Sequence, residues 1–485
     1  MIESTRAEHT GAGATPAPAG SRKGYVAGVV ALCTAWALTA TWLQIVRGPG
    51  LLPRDVVWGE DGGVFLNQAM RHSWWHNLFV PHAGYLQVVA RIVAEPASLL
   101  PVSWAATWLA AGAAFVVASI SVLVWFASGR VVRSVWARGL LTALVPLLPQ
   151  AGYEVIATAC NLHWYLAYAA FWVLLVPPRT VRGQLGGAFV VVLAALSDPL
   201  AGIVLPAAAV GMRFASRRRV AAIAPAAMIV ALAVQVWVHF TGAVGYRASP
   251  TSLWDLPQIY AVRVVLSALT GDRLLEPVYV RIGLAGVAVV GLVVLAGTVA
   301  AWWRADRRTR FVTAVSLVIS VAYLCAPLFV RGTGGYLDYQ RFWLGGSRYT
   351  IVPLLLLWTA VIVLLDRFAQ RCGPRPTRFG VNASALVGTL TAVFLGVQLL
   401  HGWAAPSVRS GGPSWSAEVR EARLDCRTPV AARDRQRTVL VGDYEDGHSV
   451  AIVPAADQVT IVTAPEVREG EALLFGVVVP CSRLR

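Results

Sequence analysis

Long apolar runs separated by short clusters of arginine are the feature that most restricts how this chain can fold. A run of roughly 17 to 25 apolar residues can cross the hydrocarbon core of a bilayer as a helix. Charged residues make up only 14% of the sequence, against roughly a quarter in an ordinary soluble domain. The chain is therefore predicted to be an all-α polytopic membrane protein. Runs that meet the length test begin near Tyr25, Val102, Val220, Ile282, Phe311, Thr350 and Val381.

The arginine clusters predict the number of crossings and the side of each loop. Short loops rich in arginine face the cytoplasm, and such clusters flank two ambiguous segments, residues 139–177 and 183–212. Each of these segments must then cross twice, turning outside at residues 152–163 and at Ser197-Asp198-Pro199. We predict about eleven transmembrane helices in the plasma membrane, with the N-terminus inside and the C-terminus outside. The clusters also explain the net charge of +16, and no basic face with interleaved aromatics favours a nucleic-acid partner.

The chain divides into three parts. Residues 1–23, rich in Ala, Gly, Pro, Ser and Thr, are predicted to form a disordered cytoplasmic tail. Residues 24–402 form the transmembrane domain, whose first outer loop, residues 47–101, has the apolar spacing and aromatic content of interfacial helices. Residues 403–485 contain turn-rich stretches and short runs such as "TVLVGDY" and "QVTIVTA", which predict a small extracytoplasmic β-rich domain.

Six cysteines occur in the chain. Cys426 and Cys481 are the two in the C-terminal domain, and an outside location permits a disulfide between them. The other four lack the spacing of metal ligands, so a thiolate metal site is not expected. His72 and His76 could hold a metal from one helix face, but their position beside Trp74 favours an interfacial role, and we predict no metal-ligating residues.

Two adjacent acids, Glu60 and Asp61, stand in the stretch "GEDGGVFLNQA" just after the first transmembrane run. Asp61 can be explained as a helix cap, worth about 0.5 to 2 kcal/mol. Glu60 has no such explanation, in a chain with only 25 acidic residues. The pair is therefore a candidate functional site at the outer membrane surface.

The predicted location restricts the chemistry that these carboxylates can perform. Nucleotide-activated donors are absent outside the cell, so a transferase on that face needs a donor held in the membrane, and a polyprenyl-phosphate sugar fits. A carboxylate can accept the proton of an attacking hydroxyl, and arginines can neutralise the departing phosphate. The partners predicted are thus the lipid-linked sugar, an envelope glycan or glycolipid acceptor and the bilayer. The sequence leaves open whether the reaction also uses a divalent cation, Mg²⁺ or Mn²⁺, as a cofactor.

Other polar and aromatic residues of the outer loops are candidates for binding the donor phosphate or sugar. Arginine forks suit phosphate oxygens, and aromatic faces suit sugar rings. The aromatic residues are equally well explained as anchors at the membrane interface. The histidine is explained as well by a structural role in which it is hydrogen-bonded. The candidates are Arg341, Arg348, Tyr349, Asn161, His163, Trp164, Asp198, His82 and Tyr85.

The architecture resembles the GT-C class of integral membrane glycosyltransferases. The stretches "GEDGGVFLNQA", "PHAGYLQVVARIVAEPASLLP", "NLHWYLAYAAFWVLL", "LSDPLAGIVLP" and "GGSRYTIVPLLLL" are similar to segments of GT-C-like membrane proteins of actinobacteria. The resemblance implies transfer of a sugar from a polyprenyl phosphate, with the first-loop acid as base. That role falls on Asp61, with Glu60 beside it, and either acid satisfies the pattern of the class.

Two other functions remain open. A transporter or flippase of lipid-linked glycans would use the outer acids to bind cargo, and Asp198 would then lie at mid-depth in one long helix, where a charge costs roughly 2.5 to 3.5 kcal/mol. Such a crossing would move Arg217, Arg218 and Arg219 outside, which the arginine rule disfavours. A membrane anchor that presents the β domain to a partner is the third alternative.

Overall fold

The structure of the protein is a computed structural model. It describes residues 19–152, 154–241, 250–337, 347–371, 382–407, 409–428, 437–441, 450–466, 468–469, 472–473 and 475–484. In these ranges the chain is a helical membrane protein with a small sheet region near its C-terminus. Arg341 and residues 1–18 of the predicted tail lie outside the described residues.

Helices account for most of the described chain. They are α1 (Ala19–Ile45), α2 (Asn67–Arg71), α3 (Trp74–Leu78), α4 (Val88–Leu99), α5 (Ala105–Ser128), α6 (Val135–Leu147), α7 (Leu162–Leu175), α8 (Val181–Ala195), α9 (Pro206–Arg213), α10 (Arg218–Ala221), α11 (Ile223–Thr241), α12 (Asp255–Tyr260), α13 (Ser267–Trp303), α14 (Arg307–Arg331), α15 (Ile351–Arg371), α16 (Ala383–Trp403) and α17 (Trp415–Asp425). Two π-helical segments, Asp61–Leu66 and Ala261–Leu266, precede α2 and α13. The first helix, α1, begins at Ala19, and its apolar span begins at Gly24.

Seven helical segments of the described chain are long and apolar enough to cross a membrane. They correspond to the seven runs expected from the sequence, although the run near Ile282 lies inside a longer segment, Asp255–Trp303. That segment is interrupted at Gly271 and Gly283, whose φ angles of 70° and 61° are readily adopted by glycine alone. The seven segments are Gly24–Ile45, Val102–Ser128, Arg218–Thr241, Asp255–Trp303, Arg307–Arg331, Ser347–Arg371 and Ala383–Trp403.

The two ambiguous segments each form a pair of shorter helices. In the first, α6 and α7 are separated by a 3-10 turn and an irregular stretch between residues 148 and 161. In the second, α8 ends at Ala195 and the chain turns through Ser197 and Asp198 into a 3-10 helix, Pro199–Val204, that leads to α9. Asp198 therefore lies at a turn between helices and not in the middle of one long helix.

The helices bring the loops together at two opposite ends of the bundle. At one end, here called the cavity end, Arg47 donates to the carbonyl oxygens of Leu148 and Pro149 at 2.9 and 2.6 Å. At the other, the arginine end, Asp366 accepts from the backbone N–H groups of Arg133 and Ser134 at 3.0 and 3.1 Å. Loops that the arginine rule assigns to one side of the membrane thus meet at the same end.

The core of the bundle is built on α7 and α15. Every residue of α7 is buried, including Trp172 and Tyr168, and the Tyr168 hydroxyl is hydrogen-bonded to Thr359 of α15 at 2.8 Å. A helix that is apolar all round is suited to this central position. The ends of α7 and α15 at the cavity end, near His163 and Arg348, are consequently held by the most buried part of the molecule.

The C-terminal part forms two small sheets. Its strands are β1 (Val439–Val441), β2 (Val450–Ile452), β3 (Gln458–Val462), β4 (Arg468–Glu469), β5 (Ala472–Leu473) and β6 (Gly476–Pro480). The order in the four-stranded sheet is β2-β1-β5-β4, with β1 and β5 parallel, and β3 pairs with β6 antiparallel in a register that sets Thr460 opposite Val478. The predicted pair Cys426 and Cys481 is disulfide-bonded. The part also includes α17, so it is less purely β than the sequence predicts.

The C-terminal part packs directly on the segment that follows Glu60. The Asn67 side chain donates to the Gly476 carbonyl at 2.8 Å and accepts from the Val478 N–H at 2.9 Å. Asn67 thereby occupies the free edge of β6 as a neighbouring strand would. The first outer loop and the C-terminal sheet therefore form one packed unit.

A methyl group added at Gly62 tests this packing. An alanine Cβ there would lie 2.7 Å from Val57, 2.8 Å from Thr463 and 3.0 Å from Val477, so we expect Gly62→Ala to destabilise the protein by about 1 to 3 kcal/mol through overpacking. The measurement is thermal unfolding of the purified protein in detergent. Gly139→Ala is the matched control, because a Cβ at Gly139 meets nothing within 4 Å. Equal unfolding midpoints for Gly62→Ala and the wild type would contradict the packing.

Candidate functional site

A cavity of about 380 Å³ lies at the cavity end of the bundle. Its walls come from the first outer loop, the turn before α7, the turn after α8, and the ends of α11, α14 and α15. Segments far apart in sequence thus meet around one space. Nine of the residues expected from the sequence line it, namely Glu60, His82, Tyr85, Asn161, His163, Trp164, Asp198, Arg348 and Tyr349.

Glu60 presents its carboxylate to this cavity. One oxygen accepts a hydrogen bond from the Trp58 indole at 3.2 Å, and the other lies 3.8 Å from a guanidinium nitrogen of Arg348. Burial raises the pKa of Glu60, but the positive charges of Arg348 and His82 and the Trp58 hydrogen bond outweigh it and lower the pKa below 4.5. Because 29% of the side chain is exposed, an ionised acceptor of protons faces the cavity.

Asp61 has a different environment, although it is the next residue. Its side chain is 1% exposed and its two oxygens accept from the backbone N–H groups of Ala159 and Cys160 at 2.9 and 2.8 Å. Burial raises the pKa of Asp61 to about 6, against the opposing effects of these hydrogen bonds and of the Arg409 charge. Asp61 does not line the cavity. The two neighbouring acids thus differ in position: Glu60 lies in the cavity wall, whereas Asp61 is bound to the backbone of the turn before α7.

Arg348 is held at the cavity by a buried acid. The carboxylate of Glu154, 8% exposed, accepts from the Arg348 backbone N–H at 2.8 Å and from the Ser347 hydroxyl at 3.1 Å. Its other oxygen lies 4.0 Å from the Arg348 guanidinium. Glu154 was not among the residues singled out in the sequence. The only sign of it is an acid within the apolar stretch "PQAGYEVIATACN".

His163 and Asp198 form a second polar pair on the opposite wall. The His163 imidazole Nε2 lies 3.8 Å from one carboxylate oxygen of Asp198, and the other oxygen accepts from the Leu200 N–H at 2.8 Å. Burial raises the pKa of Asp198 to about 7, more than the Leu200 hydrogen bond and the Arg331 charge lower it. Trp164 packs beside His163, with ring centroids 4.6 Å apart. Both side chains can bind hydroxyl groups, and Asp198 can hold or release a proton near neutral pH.

His82 and Tyr85 enter the cavity on a tight turn of the first outer loop. Their backbones exchange hydrogen bonds at 2.8 and 3.3 Å, and Ala83 and Gly84 between them have positive φ angles. Gln235 of α11 stabilises this turn, because its side chain accepts a hydrogen bond from the Leu86 N–H and donates one to the Leu86 carbonyl. Gln235 is thus structural, although its chemistry alone would also suit a ligand contact.

One wall of the cavity is apolar and reaches the outer surface of the bundle. It contains Val236 and Phe240 of α11, which are 53% and 81% exposed, and Pro327 and Val330 of α14. Apolar side chains exposed on a membrane-spanning helix face lipid. The polar groups therefore lie within reach of a molecule that enters from the bilayer between α11 and α14.

Arg331, at the end of α14, also lines the cavity, so two arginines contribute to it. Arg331 belongs to the same outer stretch, "RGTGGYLDYQRFWLGGSRYT", whose arginines the sequence suggests for contact with the donor. Glu60 lies beside the positive charge of Arg348, which disfavours a divalent cation at that carboxylate. In the described ranges, no three His, Cys, Asp or Glu residues are grouped so that they could hold a metal ion.

No family model, curated protein or solved structure matches this chain. The fold and the site define a helical membrane protein with a cavity that is polar on one side and apolar on the other.

Proposed function

We propose that the protein is a GT-C-like glycosyltransferase, which moves a sugar from a polyprenyl-phosphate donor to a glycan or glycolipid acceptor of the cell envelope. The observation that carries the proposal is the meeting of ionised Glu60, Arg348 and the lipid-facing wall at Phe240 in one cavity. A donor with a long isoprenoid chain and a phosphate needs both surfaces. An acceptor hydroxyl needs a base beside them.

The proposed topology has about eleven crossings, with the cavity end outside. It is supported by the separation of the two ends of the bundle. The chain passes from the arginine end at Ser134 to the cavity end at Pro149, and returns to the arginine end at Pro177, whose carbonyl accepts from Arg130 at 2.9 Å. The pair of α8 and α9 makes the second such excursion, with its turn at Asp198. The short helices thus act as crossings, and the cavity end opens at the outer face of the plasma membrane.

In the proposed reaction, the acceptor hydroxyl gives its proton to Glu60 while its oxygen forms a bond to the anomeric carbon of the sugar. The bond from that carbon to the phosphate oxygen breaks, and its electron pair leaves with polyprenyl phosphate. Arg348, with Arg331 nearby, stabilises the charge that accumulates on the phosphate. His163 and Asp198 hold sugar hydroxyl groups, and Tyr349 and Trp164 offer aromatic faces to the ring.

Asp61 has a positioning role in this proposal. It ties the segment that begins at Glu60 to the turn before α7 through the Ala159 and Cys160 N–H groups. An acid at position 61 is therefore needed for the geometry of the base, while Glu60 supplies the base itself. This division explains why the chain keeps two neighbouring carboxylates.

The test is a transfer assay with the purified protein in liposomes. Polyprenyl-phosphate sugars labelled in the sugar are supplied with envelope acceptors, and both the labelled acceptor and the released polyprenyl phosphate are measured. We expect transfer by the wild type, and a rate about 10² to 10³-fold lower for Arg348→Gln, as for the loss of one charge-stabilising donor. Arg423→Gln is the control, because Arg423 is exposed on α17 and does not line the cavity.

Two outcomes of this assay would contradict the proposal. Movement of an intact labelled donor across the liposome membrane, with no product, would assign the cavity to a flippase. Neither transfer nor movement with any donor would favour a membrane anchor for the C-terminal part. A comparable rate in Arg348→Gln and Arg423→Gln would remove the phosphate role of Arg348.

A further inference from the structure

A second polar cavity, of about 290 Å³, lies at the arginine end of the bundle. It is formed by the loop between α5 and α6, the first turn of α14 and the last turns of α15. Four arginines from these three elements surround it, Arg130, Arg133, Arg308 and Arg367. We call it the arginine cavity. It is separated from the candidate active site by the length of the helices, so the proposed transfer reaction makes no use of it.

The two acids of the arginine cavity are already engaged. Asp306 accepts from the N–H and hydroxyl of Thr309 at 3.1 and 2.9 Å and lies 2.6 Å from Nε of Arg367. Asp366 accepts from two backbone N–H groups and from the Gln370 side chain at 2.7 Å. These acids therefore neutralise Arg367 and cap the loop, and they do not reach the other guanidinium groups.

Three arginines of the cavity keep an unbalanced positive charge. Among the residues that the structure describes, no carboxylate lies within 4.0 Å of the guanidinium groups of Arg130, Arg133 or Arg308. Burial and the positive charges of Arg179 and Arg308 lower the pKa of Arg130. All three side chains are exposed to solvent, and their positive charges around one concave space attract an anion.

The location of the arginine cavity indicates the source of such an anion. It lies where α5 and α15 end and α14 begins, and Phe126 and Phe368 in the final turns of α5 and α15 are 52% and 58% exposed. Aromatic side chains at such positions contact acyl chains near the headgroup level. Basic pockets between helix ends on this side of a membrane suit phosphate headgroups, and arginine forks match phosphate oxygens.

We propose that the arginine cavity binds a phosphate group, with Arg133 and Arg308 as its principal ligands and Arg130 as a third. An anionic phospholipid can supply this group from the bilayer, and a soluble phosphate compound can supply the same chemistry from the aqueous side. A site of this kind stabilises the contact between α5, α14 and α15 at the end of the molecule opposite the active site.

The experiment measures binding of defined probes to the full chain in detergent. Phosphatidylglycerol is compared with phosphatidylcholine by native mass spectrometry and by the shift in unfolding temperature, and inorganic phosphate and glycerol phosphate form the soluble arm. We expect the double variant Arg133→Gln with Arg308→Gln to bind the phosphate probe at least about tenfold more weakly, as for the loss of about 1.4 kcal/mol. The control is Arg217→Gln with Arg219→Gln, which removes the same charge from exposed positions outside the cavity.

Each outcome decides the proposal. Preferential retention of phosphatidylglycerol by the wild type and by the control supports a lipid ligand, whereas a shift with soluble phosphate alone supports the site with an aqueous ligand. Equal weakening in both double variants would show that the arginines act only through the general positive charge, and absence of binding in the wild type would refute the site. If the glutamine double variant does not fold, it is replaced by Arg133→Lys with Arg308→Lys. The lysine double variant keeps both charges but lacks the paired N–H donors of the guanidinium groups.

Discussion

Replacement of Glu60 by glutamine is expected to lower the turnover of the proposed transfer reaction by about 10² to 10⁴-fold, the usual contribution of a general base. Glutamine keeps the size of the side chain and can still accept a hydrogen bond from the Trp58 indole, but it cannot take up a proton. Because the side chain is 29% exposed and its oxygens contact mainly the Trp58 indole and Arg348, the change removes chemistry more than structure. The measurement is kcat in the liposome assay, with KM expected to change little.

Glu421→Gln is the matched control for this prediction, since Glu421 is exposed on α17 and lies away from the cavity. Retention of wild-type turnover in Glu60→Gln would contradict the assignment of the base. Loss of turnover in Asp61→Asn does not by itself assign the base to Asp61, because that change also places an amide NH₂ against the backbone donors of Ala159 and Cys160. Thermal unfolding of each variant separates the two effects.

The pH dependence of turnover distinguishes the two acids further. A base acts while it is ionised, and the pKa of Glu60 lies below 4.5, so we expect loss of the Glu60 charge to lower the rate only below about pH 4.5. Protonation of Asp198, whose pKa is about 7, and of Asp61, whose pKa is about 6, lowers the rate at higher pH through sugar binding and positioning. An acid limb near pH 6 together with an unchanged rate in Glu60→Gln would therefore transfer the role of base from Glu60 to Asp61.

The second large effect is expected at Arg409. This residue connects the chain after α16 to the first outer loop and to the turn before α7. Its guanidinium donates to the carbonyl oxygens of Pro53, Val56 and Ile156 at 2.8 Å and of Ala157 at 2.9 Å, and the residue is 6% exposed. Burial lowers the pKa of Arg409 to about 10, with the nearby charge of Asp61 opposing the shift. It is therefore charged at neutral pH and bridges two loops.

We expect Arg409→Met to destabilise the protein by about 3 to 5 kcal/mol, because four buried carbonyl groups lose a charged donor that methionine cannot replace. The first outer loop, which carries Glu60, would lose its attachment to the turn before α7, so transfer activity would fall with stability. The measurements are thermal unfolding in detergent and the rate of proteolysis in residues 47–101.

Arg420→Met provides the control, since Arg420 is exposed on α17 and surface changes of this kind usually alter stability by no more than about 0.5 kcal/mol. A destabilisation below about 1 kcal/mol in Arg409→Met would show that water replaces the guanidinium at these carbonyls, and the bridging role would then be rejected.

Much of the architecture follows from local sequence patterns. The lengths of the apolar runs are enough to predict the seven long helices, and the short runs after Trp403 predict a small sheet region. The disulfide between Cys426 and Cys481 follows from the cysteine count of the C-terminal part. These features depend on the spacing and composition of residues that are close in sequence. They can therefore be predicted without knowing which residues contact each other in the fold.

The candidate site was predicted in part. The arginine rule assigns the loops of nine expected residues to one side of the membrane. Loops on the same side can meet, and these nine residues line one cavity. Glu154 was not predicted, since an acid within an apolar run gives no sign of what it contacts. The structure adds it because its carboxylate accepts from Ser347 and Arg348, far away in the chain.

By itself, the sequence determined that the chain enters the membrane many times, that its acids at positions 60 and 61 begin a helical segment outside the first long helix, and that its C-terminal part contains short strands. Only the tertiary structure decided which acid faces the cavity. Neighbouring residues on a helical turn point about 100° apart, and the direction of each depends on what packs against the turn. Here the Ala159 and Cys160 N–H groups and the C-terminal sheet occupy the side of Asp61 and Asn67, so Glu60 is left facing Arg348 and the open space.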